Sequence, residues 1–250
     1  MGAFMRHILS IAIAAIVISG IATAPRAQPA PIKPYKPVAL KLAPPLADPG
    51  FKAFRKQLAA VARTKDRAEL GKLVVTDGFF WQTKDGEKAD KAKSSVDNLS
   101  VAIGLSDASA SGWDHLIDYA GIAAAGLLPL KDGVVCAPVD PAFDDNALME
   151  LARVTQTDPG DWAYPLTKDV EARASNAPHA RVTEKLGLYF VRILPDENSN
   201  QAALLRVVMP SGKIGYVSVD AIMPLGNDQL CYVKEDGAWK ITGYVGSGQQ

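Results

Sequence analysis

Apolar residues recur at helical spacing in the first half of the chain and at strand spacing in the second. Phe51, Phe54, Leu58 and Val61, with Lys and Arg between them, predict an amphipathic helix. Asp48-Pro49 stands where an N-cap and first turn belong. Asp66 can cap a second helix that carries Leu70, Leu73 and Val74 on one face. Three more helices follow from Val96, Leu99 and Ile103, from Trp113, Leu116, Ile117 and Ala120, and from Leu148, Leu151 and Val154. Gly78-Phe79-Phe80-Trp81 reads as a short strand or buried turn. Residues 84–93 alternate bases with acids and read as a solvated loop. The expectation is a mainly helical domain over residues 50–157.

From Asp161 the pattern changes. Short runs at 162–166, 170–173, 182–186, 189–194, 204–209 and 214–217 are separated by turn chemistry, including the Pro-Ser-Gly-Lys turn at 210–213. Such spacing predicts a small barrel or sandwich over residues 158–226. Within it, Val170, Arg173, Pro178, Leu186, Val191, Leu194, Val207, Gly212, Gly215, Tyr216 and Val217 follow the order of motif positions in bacterial SH3-like domains. Residues 161–223, about a quarter of the chain, resemble that family. Two of its usual tryptophans are replaced, one by Leu204 or Leu205 and one by Tyr216. The resemblance implies a small β-barrel that attaches the protein to wall peptide or another extracytoplasmic partner. Trp162, Tyr164, Tyr189 and Tyr216 are then the candidate ligand contacts, with roles in the barrel core as the alternative.

Residues 229–234 and 238–245 alternate around Asp236-Gly237, a hairpin signal. This ending also resembles the last strands of cone-shaped α+β domains of the nuclear-transport-factor type. That likeness implies that the hairpin, residues 227–250, returns to the helical region and holds the barrel between them. The overall expectation is an α+β chain: a mainly helical N-terminal region, an SH3-like β-barrel and a C-terminal β-hairpin.

The chain has 250 residues, with 27 Lys+Arg, 27 Asp+Glu and three histidines. A neutral balance argues against a nucleic-acid partner. The N-terminus has the form of a secretory signal: Arg6, an uncharged apolar stretch over residues 8–24, then small residues with cleavage placed after Ala27. The alternative is an uncleaved anchor helix. Removing residues 1–27 takes Arg6 and Arg26 and no acid, so the mature charge becomes 25 − 27 = −2. Residues 28–49 are proline-rich and read as an extended spacer. No later stretch is long and apolar enough to span a membrane. The expected location is the periplasm or the medium.

In an exported chain, two cysteines most simply pair, so Cys136 and Cys231 are expected to form a disulfide. The rival reading makes Cys136 a nucleophile with His115 or His179 as its base. Asp114, His115 and Asp118 are the one cluster that suggests a metal, but they lack a zinc-type spacing and read better as a polar helix face. No cofactor motif is present. The function expected is a non-enzymatic envelope protein that binds peptidoglycan peptide or a protein partner. The alternative is a wall or ester hydrolase with its catalytic domain in the helical region.

Overall fold

A computed structural model describes residues 32–105, 111–129, 131–177, 179–194 and 203–246. The expected signal segment and Pro178 lie outside the described residues. Elements run in the order β1 (Leu40–Lys41), α1 (Pro49–Thr64), α2 (Arg67–Leu73), β2 (Phe80–Thr83), β3 (Gly86–Glu87), α3 (Ser95–Ile103) and α4 (Ser111–Gly121). Next come β4 (Gly126–Leu127), β5 (Val135–Ala137), β6 (Ala142–Phe143) and α5 (Asp145–Thr155). The last part is all strand apart from short 3-10 turns: β7 (Trp162–Pro165), β8 (Val170–Arg173), β9 (Val182–Leu186), β10 (Val191–Ile193), β11 (Leu204–Val208), β12 (Ile214–Ser218), β13 (Ile222–Pro224), β14 (Gln229–Glu235) and β15 (Ala238–Val245).

The caps set the first helices. Asp48 accepts a hydrogen bond from the Phe51 amide at 3.0 Å, Pro49 opens the first turn, and Lys65 ends α1 in the left-handed region. Asp66 caps α2 in the same way, through the Glu69 amide. Helix α1 buries Phe51, Phe54, Leu58, Val61 and Ala62. A fully buried leucine such as Leu58 contributes about 1.5–3 kcal/mol relative to leaving it in water.

What α1, α2, α3 and α4 cover is a six-stranded sheet in the order β3-β2-β15-β14-β5-β4. The expectation of a mainly helical N-terminal region is therefore corrected. Among the described residues there are five α-helices against fifteen strands, and the chain is dominated by three sheets of two, seven and six strands. The reason is physical. Strands β2 to β5 are two to four residues long, too short to display an alternating period, while their central partners arrive from the far end of the chain. The C-terminal hairpin is no appendage. β14 pairs with β5 and β15 runs parallel to β2, so the two strands occupy the middle of the sheet. Asp236 and Gly237 close the hairpin with φ of 49° and 80°, as a two-residue turn of the favoured hand requires.

Between β5 and β14 the chain builds the other sheets. The seven-stranded sheet has the order β13-β7-β10-β11-β12-β8-β9. Leu186 from one edge strand and Ile222 from the other share a core with Ala163, Val191, Val207 and Val217, so the sheet curls around its own interior. A second core, of Val38, Leu40, Leu148, Leu151, Trp162, Tyr164 and Phe190, joins α5 and the β1–β6 pair to this sheet. Among the described residues, no helix is long and apolar enough to cross a membrane.

Candidate functional site

The four aromatics expected as ligand contacts part company. Trp162 is fully buried and Tyr164 is 2 % exposed. The indole of Trp162 donates to the Thr157 hydroxyl at 2.9 Å and meets Tyr35 edge-on, while Tyr164 packs edge-on to Phe190. Neither ring is open to a ligand; both are anchors of the core against α5. Tyr189 is half-buried in the turn before β10, where its ring lies against Gly187 and its backbone bridges to Ala39. Tyr216 is half-buried on β12.

Alternation along β12 turns Gly215 and Val217 inward and Tyr216 outward. Register then puts Tyr216 between Arg206 of β11 and Arg173 of β8, in one row across three strands. Arg192 of β10 stands opposite Val208 on the same face, diagonal to Arg206. Arg173 is tied to Glu171 at 2.9 Å. Arg192 and Arg206 make no ion pair among the described residues, and the Nε of each is buried without a hydrogen-bond partner. Guanidinium forks beside an aromatic face suit carboxylate recognition and stacking. Reading the sequence for aromatics missed both arginines. Their signal was there: each is the single charge within an otherwise apolar strand, Tyr-Phe-Val-Arg-Ile-Leu and Leu-Leu-Arg-Val-Val-Met.

A second feature is a cleft of about 420 Å³ where the end of α4 meets β13 and the approach to β14. His115, Asp118, Tyr119, Met223, Asp228 and Tyr244 line it. Tyr244 donates to Asp228 at 2.7 Å, and the Tyr119 hydroxyl lies 3.4 Å from that of Tyr244. Burial pushes the Tyr119 phenol up to about 12. Tyr244 is held well above its ordinary value, first by burial and then by Tyr119 and Asp228. Both phenols therefore stay protonated through the neutral range and act as donors. Partial burial raises the Asp118 carboxyl, His115 opposes that shift, and Asp114 and Asp220 add to it. Among the described residues, no group of three or more His, Cys, Asp or Glu side chains is placed to hold a metal ion.

Cys136 and Cys231 form a disulfide between β5 and β14. The sulfur of Cys136 is thus engaged, and the reading that makes it a nucleophile is corrected. Phe80, Val134, Cys136 and Cys231 form a small core of their own, set apart from the larger core that the helices cover. The Lys131 ammonium stands 4.3 Å from the centre of the Phe80 ring.

Comparison with protein-family models, curated proteins and solved structures found no match.

Proposed function

We propose that this is a non-enzymatic protein of the bacterial cell envelope whose SH3-like seven-stranded module binds carboxylate-bearing peptide of the wall. The observation that carries the reading is the Arg206–Tyr216–Arg173 row, with Arg192 beside it and two guanidinium Nε atoms left unpartnered. Burying a charged donor without a partner is costly. An incoming carboxylate would pair with the outer Nη groups of these half-buried guanidiniums, with Tyr216 as the surface on which a peptide plane rests. The N-terminal segment supports export.

Co-sedimentation of the chain lacking residues 1–27 with purified peptidoglycan tests this. The intact protein is expected to pellet with the wall, and Arg206→Ala and Tyr216→Ala each to weaken binding roughly 10-fold, the first by losing a charge-assisted contact and the second by losing the stacking surface. No binding by the intact protein, or full binding by both variants, would overturn the reading.

A further inference from the structure

We propose a second anion site on the opposite body of the molecule: a groove between α1 and α4 that takes a phosphate-bearing group. Along α1, Lys52, Lys56, Ala59 and Arg63 follow one another at four, three and four residues and so share one face. Arg55 flanks them. Together with Ile117, Ala120 and Gly121 of α4 they line a groove of about 430 Å³. Its walls carry four cations and no acid, and α1 itself contains no acidic residue.

Six cations among the described residues pair with a carboxylate: Arg67 with Asp97, Lys72 with Glu69, Lys93 with Asp90, Arg153 with Glu150, Arg173 with Glu171 and Lys234 with Asp48. What distinguishes the groove is that its cations share one helix with no acid on it. Lys52, Arg55, Lys56 and Arg63 make no ion pair among the described residues. In a chain of balanced charge, concentrating four cations with no paired acid along roughly 16 Å of helix favours a multiply charged anion.

Arg55 is fixed for the task. Its Nη1 donates to the carbonyls of Ala120 and Gly121, both at 3.1 Å, which satisfies the C-terminal end of α4 and offsets the partial negative charge there. The guanidinium lies over the Phe51 ring, and its Nε is buried with no hydrogen-bond partner among the described residues. Lys52, Lys56 and Arg63 are exposed at the rim. Small residues at the floor, Ala59, Ala120 and Gly121, admit a compact tetrahedral group, and lysine ammoniums bind phosphate as point charges. The source is either a phospholipid headgroup or a free phosphate ester.

The test uses the chain lacking residues 1–27 and two probes: inorganic phosphate, and phosphatidylcholine vesicles with and without phosphatidylglycerol. Binding to at least one anionic probe is expected, weakening at higher salt. Response to vesicles alone assigns a headgroup; response to phosphate assigns a free ester. The Lys52→Gln, Lys56→Gln, Arg63→Gln triple variant changes only exposed rim positions and leaves Arg55 in place. It is expected to bind vesicles roughly 100-fold more weakly, with an unchanged circular dichroism spectrum. A control triple variant, Lys84→Gln, Lys88→Gln, Lys91→Gln, removes as much charge from a distant loop and should bind like the intact protein. Failure of both probes, equal binding by the rim variant, or equal loss in the control overturns the proposal. The wall-binding variants Arg206→Ala and Tyr216→Ala should behave as intact protein here, so the two sites can fail separately.

Discussion

Cys136 and Cys231 face each other directly across β5 and β14, their Cα atoms 4.0 Å apart and their sulfurs joined, although 95 residues separate them. They stand in the middle of a row that crosses five strands: Gly126, Cys136, Cys231, Gly243 and Phe80. The large members have room because the small ones have none to fill. A side chain at Gly126 would strike Val139, and one at Gly243 would strike the Phe80 ring.

Reducing the disulfide, or replacing both cysteines by Ala, is expected to destabilise the fold by about 2–5 kcal/mol, since the cross-link closes a long loop in the unfolded chain. Urea unfolding with and without reductant measures it. An unchanged midpoint would show that the hydrogen-bonded pairing of β5 and β14 suffices.

Gly243→Ala should cost about 1–3 kcal/mol by overpacking, because the new Cβ would lie 2.3 Å from a Phe80 ring carbon. Combining it with Phe80→Leu should return part of that loss, so the two changes are non-additive in thermal unfolding. Additive losses would place the strain elsewhere.

Tyr232 is fully buried against Phe51 and Phe54, and its hydroxyl has no hydrogen-bond partner among the described residues. Tyr232→Phe removes an unsatisfied polar atom and keeps the ring, so it should raise stability by about 1 kcal/mol. A loss in chemical denaturation would mean the hydroxyl is satisfied in solution.

The Asp48 carboxylate is held down to about 2, first by the Phe51 amide and then by Lys234 of β14. A folded value below the unfolded one stabilises the protein above the ordinary aspartate range. That contribution fades as pH falls from about 4 toward 2. Asp48→Asn keeps a cap acceptor but does not titrate, so its acid unfolding limb should be shallower than that of the intact protein. Asp118 works in the opposite sense. Its raised carboxyl favours the fold below the unfolded value, and that gain is lost as pH rises through the folded one.

Much of the local structure could be read from the residues alone. Asp48 and Asp66 cap the helices whose apolar faces were expected, and Asp236-Gly237 closes its hairpin. The arrangement could not be read so far. Gly126-Leu127 shows no period, and the central partners of β5 and β2 lie beyond residue 228. Aromatic type also says nothing of what covers a ring. Trp162, Tyr164 and Tyr216 share the outer face of the sheet by register, but the first two are buried in a core made with α5 and Tyr216 is left half-open. Arg192 and Arg206 became meaningful only when register placed them around that tyrosine.

The bond between β5 and β14 also ties the stem of everything the chain builds between them. A protease that cuts once anywhere from residue 137 to residue 230 would leave two pieces in one covalent molecule, separable on a gel only after reduction. The seven-stranded module hangs from the six-stranded body like a loop clipped at its base, and a protease could nick it without setting either half adrift.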